Sequence, residues 1–187
     1  MKQTFLLALK LYKKAQKGVS AVEFALIVPL MLSIYFACIE LSLLMILDRK
    51  VTTSTATLGD LTARALTISN DDLDDIFEAT RMIFQPNDIT EARMRVSSLY
   101  NDAGTIRVGW SDGCNLAAYS VDQVIAAPAN LVPAGGTVIY AEIEYDYNSA
   151  LGYFFTTTKT LTDQFYLRPR RVNEIVRDTG GGFTCGF

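Results

Sequence analysis

Lys17-Gly18-Val19-Ser20-Ala21-Val22-Glu23-Phe24 joins a basic leader to a long apolar run, and the fold of this chain turns on that junction. No charged residue stands between Phe24 and Ile39, and with Glu40 admitted the run continues to Leu47. A helix from Phe24 to Leu47 rises about 36 Å, more than the roughly 30 Å of bilayer hydrocarbon. The spacing therefore predicts one membrane helix. A glutamate at the mouth of such a helix is costly to desolvate, so Glu23 is a functional-site candidate that needs a partner. Cutting after Gly18 would supply one, the bared amine of Val19.

The flanks set direction. Lys2, Lys10, Lys13, Lys14 and Lys17 precede the run with no acid among them, which holds the N-terminus in the cytoplasm and sends everything after Leu47 across the membrane. A secretory signal has an apolar core of only about 7 to 15 residues, and here the small pair Ser54 and Ala56 falls after the charged Asp48-Arg49-Lys50. An uncut anchor with Glu23 at headgroup level is the plainer alternative.

Gly18, Glu23 at the fifth place of the would-be mature chain, and the apolar helix together resemble the processing site of type IV-type prepilins. More narrowly, Ser20-Ala21-Val22-Glu23-Phe24-Ala25-Leu26 through Pro29 to Ile39-Glu40-Leu41 resembles the TadE-like proteins, pseudopilins of Flp/Tad pilus assembly. Leu58-Gly59-Asp60-Leu61, a Tyr-rich Val138 to Tyr147 and Leu167-Arg168-Pro169-Arg170 follow in the order such proteins show. The resemblance thus spans Lys17 to Arg171. Where the prepilin pattern usually has tyrosine after the glutamate, this chain has Phe24, which keeps the apolar and charge logic.

The resemblance implies a leader over 1–18 removed by a prepilin peptidase, a transmembrane helix over 19–47, a helical stalk over 48–68 and a periplasmic alpha+beta head over 69–187. The cut would leave Val19 an amine with a pKa of roughly 7.7 to 8.0, charged at neutral pH. Glu23 would neutralise that amine on a neighbouring subunit or on its own chain as helices pack, because two separate charges in low dielectric cost several kcal/mol each. Implied partners are the prepilin peptidase, other Tad pseudopilins, the major Flp pilin, the inner-membrane assembly platform and membrane lipid. The implied role is structural: a pseudopilin or minor pilin of the inner membrane, carried into a pilus that can adhere.

The 187 residues leave room for one extramembrane domain of roughly 120. The net charge of -3 hides an asymmetry: without the five leader lysines, twelve basic residues face twenty acidic ones, a balance of about -8 that argues against nucleic acid. Cys38 lies inside the apolar run, leaving Cys114 and Cys185 as the pair exposed to an oxidising periplasm. A bond between them would close a 71-residue separation and stabilise the head by roughly 4 kcal/mol. Otherwise they are two free thiols too distant to meet.

Val51, Leu58, Leu61, Ala65 and Ile68 recur at spacings of three, four or seven, which predicts an amphipathic continuation of the membrane helix packed on its own head. Ser69-Asn70-Asp71-Asp72 offers helix-starting chemistry, and Leu73, Ile76, Phe77, Thr80 and Phe84 trace one face up to Pro86. Asp71, Asp72, Asp74 and Asp75 lack the ligand spacing and closing glutamate of a calcium loop, so no metal is expected. Strand alternation follows at Ile106, Val108 and Trp110, over Val138 to Tyr147, and at Leu161, Phe165 and Leu167. One apolar and one polar face predict an antiparallel sheet of about four strands packed on the stalk. Tyr140, Tyr145, Tyr147 and Tyr153 suit half-buried sheet positions better than a sticky surface.

Histidine is absent from the sequence, which removes the usual serine and cysteine nucleophile pairs and most zinc sites. Glu142 and Glu144 share one strand face like a glycosidase pair, but an exposed polar face accounts for them. No catalytic residue and no cofactor are expected. Two rival classes remain: a signal-anchored single-pass protein with a periplasmic binding or sensor domain, and a secreted enzyme released beyond Asp48.

Overall fold

The computed structural model describes residues 17–128, 131–149, 151–152, 155–178 and 183–185. All but the last two positions of the expected leader, together with Tyr153 and the glycines at 180–182, lie outside the described residues. The chain divides into two compact units, Met1–Ser42 and Leu43–Phe187. The elements in chain order are α1 (Lys17–Ala63), β1 (Thr67–Ile68), α2 (Asn70–Arg81), β2 (Ala92–Asp102), β3 (Thr105–Cys114), β4 (Thr137–Tyr147), β5 (Lys159–Leu167) and β6 (Val176–Arg177).

In the first unit, α1 passes through Pro29 without ending, and the Ser33 hydroxyl donates to the Pro29 carbonyl at 2.9 Å. Phe24, Leu26, Leu30, Met31 and Ile34 point to different sides of the helix, and each is more than half exposed. A helix that is apolar all round needs a core or a bilayer to cover it. Here the most apolar stretch has a mean hydropathy of 2.3 and is only 11% buried, so α1 is long and apolar enough to cross a membrane and has no protein core around it. That is the character of an N-terminal membrane anchor. Glu40, near the far end of the apolar run, is fully buried.

In the second unit, the same helix acquires a buried stripe. Leu47, Val51 and Leu58 are covered, with Ser54, Thr55 and Thr62 beside them. Thr55 and Thr62 donate back to the carbonyls of Val51 and Leu58, each at 2.8 Å, so these hydroxyls are buried without an orphaned donor. The stripe packs on an antiparallel sheet of spatial order β3-β2-β4-β5. Ala92, Met94 and Val96 of β2, Ile139, Ala141, Ile143 and Tyr145 of β4, and Leu161 of β5 supply the facing side. The architecture is alpha+beta, with a long N-terminal apolar helix, a short second helix and four antiparallel strands.

The expected stripe runs past the helix. α1 stops at Ala63, and Ile68 reaches the core from β1. α2 opens on a reciprocal cap: Ser69 Oγ accepts from the Asp72 N–H at 3.2 Å, and the Asp72 carboxylate accepts from the Ser69 N–H at 2.9 Å. Leu73, Phe77 and Thr80 form its buried face. The helix ends at Arg81, and a 3-10 turn over Met82–Phe84 carries Phe84 inward to stack on Tyr145 at 5.0 Å.

Strand β2 has no counterpart in the sequence reading. Ala92, Met94 and Val96 alternate with Arg93, Arg95 and Ser97 over only six residues before a register shift between Ser98 and Leu99 breaks the period. Its polar residues make sense only across the sheet, where Arg93 lies opposite Glu144 and Arg95 opposite Glu142. The C-terminal segment then crosses back over the core. Trp110 Nε1 donates to the Ile175 carbonyl at 2.8 Å, β6 pairs in parallel with β1, and Cys114 bonds to Cys185 with their Cα atoms 5.2 Å apart.

Candidate processing segment and the joint behind it

Gly18 and Val19 lie in the first turn of α1. The segment is accessible: a Cβ on Gly18 would meet nothing within 4 Å, and Val19 and Glu23 are exposed. Val19 and Glu23 stand four residues apart, which places the two side chains on one helical face about 5 to 6 Å apart at Cβ. Cys38 is a free, exposed cysteine within the apolar stretch.

Residues 18–57 match the family model described as TadE-like protein. No curated protein and no solved structure matches the chain. The matched segment opens at Gly18 and takes in the whole apolar run and Glu23. It also holds Lys50, whose Nζ donates to the carbonyls of Phe84 (3.1 Å) and Gln85 (2.8 Å) and to Asn87 Oδ1 (2.8 Å). Three donors on one ammonium meet three acceptors, so the charge fastens the helix to the turn after α2.

Beyond the TadE-like segment, three stretches that the sequence links only by their order come together. A Cβ on Gly59 would fall 2.6 Å from Leu167 Cδ1 and 3.4 Å from Ala141 Cβ, so α1, β4 and the end of β5 meet where one side chain is missing. Asp60 forms ion pairs with Arg64 and Arg170, and the Arg170 N–H closes the carbonyl of Ala63 at 2.9 Å. Sequence reading had marked these segments without seeing that they touch.

The outer face of the sheet is an interlocked polar layer. Arg95 Nε donates to Glu142 Oε2 at 2.8 Å, Tyr140 and Tyr119 donate to Glu142 Oε1 at 2.8 and 3.2 Å, and the Arg95 guanidinium lies 3.6 Å over the Tyr119 ring. Arg93 bridges Glu144 at 3.0 Å and Asp146 at 2.9 Å. Burial, reinforced by the bond to Glu142, pushes the Tyr140 hydroxyl far above its usual range, so it remains a donor. Tyr145 is pushed up to about 12 by burial and by the charges of Asp88 and Glu91. Glu142 and Glu144 are therefore held as acceptors, an arrangement that locks strands together. Among the described residues, no group of three or more acids or cysteines converges as a metal site, and Asp72 is engaged in its cap.

The residue that sequence reading missed most completely is Arg177. Its side chain is 5% exposed and donates to Asp112 at 2.8 Å, to the Ile68 carbonyl at 3.1 Å and to Asn70. It pins β6 to β1, α2 and β3 at once.

Proposed function

We propose that the chain is a TadE-like pseudopilin or minor pilin, a structural component required for biogenesis of Flp/Tad pili. A prepilin peptidase cuts it after Gly18, its helix holds it in the inner membrane, and its head faces the periplasm. Other Tad pseudopilins, the major Flp pilin and the assembly platform are its partners. The observation that carries this reading is the family match opening at Gly18, on an apolar helix that has no core of its own and presents Glu23 one turn from Val19. Packing such helices against each other covers the apolar surface that the bilayer covers beforehand, and an amine paired with Glu23 removes two charges from the low dielectric at once.

N-terminal sequencing of the chain purified from cells that hold the peptidase tests the proposal. A start at Val19 is the expected result. A start at Met1 would favour an anchored binding or sensor module, and a start beyond Asp48 a secreted product. Glu23→Ala is expected to leave cutting intact and to abolish fibres, since it removes the partner of the amine and not the scissile bond.

A further inference from the structure

Two exposed stripes on opposite flanks of the second unit repeat one spacing with opposite charge. On α2, Asp71, Asp75, Ala79 and Met82 fall four, four and three residues apart and are all exposed, on the side away from buried Leu73, Phe77 and Thr80. From Asp75 to Met82 the helix rises about 10.5 Å. On the other flank, Phe165 shares a strand face with Leu161, yet it is 38% exposed where Leu161 is 9%. Arg168 follows Phe165 by about 10 Å of extended chain, and both Arg168 and Arg171 are exposed. Each flank thus carries one large apolar side chain and, about 10 Å from it, a charge: acid on α2, base after β5. Among the described residues, Asp71, Asp75, Arg168 and Arg171 form no ion pair.

The stripes face apart and run in the same sense. β5 and β3 are the two edges of the sheet, and α2 lies on the β3 side, where Arg177 holds Asn70 and Asp112 together. Asp112 stands across Val96 from Ala141, which sets the start of α2 level with Ala141, and Phe84, two residues past Met82, stacks on Tyr145. On β5, Phe165 pairs with Ala141 and Leu167 with Ile139. Measured along β4, the charge on each flank therefore lies toward Ile139 and the apolar side chain toward Tyr145. The levels of Met82 and Phe165 differ by about four residues of strand, or about 13 Å. A second copy that keeps the direction of every element and is shifted by about 13 Å sets Met82 against Phe165 and the two aspartates against Arg168 and Arg171.

We propose that a second copy of this chain docks the exposed stripe of its α2 on the β5 flank, with Met82 covered by Phe165 and Asp71 and Asp75 facing Arg168 and Arg171. The inference deepens the proposed function by naming a neighbour, and it rests on that reading because copies drawn from one membrane share one direction. Exposed ion pairs contribute little stability singly, so the charges select the partner and its register while the two apolar side chains lose water. The contact joins two different patches, and its shift keeps it from closing on itself. Repetition therefore yields an open helical stack.

The test uses the full chain with Cys38→Ser and the Cys114–Cys185 bond intact, as two differently tagged copies made in the same cells beside the peptidase. One copy carries Met82→Cys, the other Phe165→Cys, and a short bifunctional maleimide is added. A cross-linked pair several times more abundant than that of Met82→Cys with Val121→Cys, at a valine 65% exposed, is the expected result. Arg168→Glu with Arg171→Glu on the Phe165→Cys copy should cut the yield several-fold. Asp71→Lys with Asp75→Lys on the Met82→Cys copy should then restore it, which also shows that the reversed chains fold. Equal yield with Val121→Cys, cross-links of Met82→Cys to itself as strong as to Phe165→Cys, or indifference to the charge reversals would overturn the inference. The N-terminus of the same material separates it from the reading beneath it. A start at Val19 with any of those three results leaves the processed pilin standing, whereas a start at Met1 or beyond Asp48 overturns that reading and this inference with it.

Discussion

Asp60 in α1 and Arg170 just after β5 form an ion pair, and the backbone N–H of the same arginine closes the carbonyl of Ala63 at the end of the helix. A helix leaves its last four carbonyls without intrahelical partners. Here a segment more than a hundred residues away supplies one donor and a charge, so the end of the long helix is defined by the exit of the last sheet strand.

The neighbouring close approach gives the first prediction. Gly59→Val is expected to destabilise the head by about 1 to 3 kcal/mol, because its branched side chain enters space held by Leu167 and Ala141. Gly59→Ala should cost less, since the first atom met is the end of a flexible leucine and alanine favours a helix by about 1 kcal/mol over glycine. Urea unfolding followed by Trp110 fluorescence distinguishes the two.

Arg177→Ala is expected to cost about 3 to 5 kcal/mol, the range for removing one partner of a buried pair. The loss leaves Asp112 without its counter-ion and frees β6 from β1. Arg177→Lys should recover only part, because one ammonium cannot reproduce the planar fork shared by Asp112, Asn70 and the Ile68 carbonyl. Thermal melting of the three proteins measures the order.

Reduction of the Cys114–Cys185 bond, or the double change Cys114→Ser with Cys185→Ser, is expected to lower stability by roughly 4 kcal/mol for a 71-residue separation. The strand registers should survive, since the sheet is held by its own ladder and the Arg95–Glu142 layer. Denaturant midpoints with and without reductant, beside unchanged far-ultraviolet dichroism, check both parts.

Acid should loosen α2 first. The hydrogen bonds from the Ser69 side chain and backbone hold the Asp72 carboxyl below its ordinary value of 3.8. A lowered folded-state pKa means that the stabilisation is complete above the unfolded value and disappears as pH falls through the folded one. Hydrogen exchange of α2 amides should therefore rise below about pH 4, the range in which a free carboxyl protonates. Ser69→Ala should remove much of that acid dependence by removing one of the two bonds.

Several parts of this protein are legible in the residues alone because their causes are local. The apolar run, the Ser69-to-Asp72 cap and the alternation along Val138 to Tyr147 each depend on neighbours within a turn or a pleat. The other parts depend on residues far apart in the chain. β2 went unread although Ala92, Met94 and Val96 alternate with Arg93, Arg95 and Ser97; what the sequence could not show is that Glu144 and Glu142 stand opposite the two arginines. Lys50, Asp60 and Arg177 read as ordinary surface charges until the fold brings them partners 34 to 110 positions away. Charge and polarity carry no period that names a distant partner, so only the tertiary structure could decide which part of the long apolar helix is covered by a protein core.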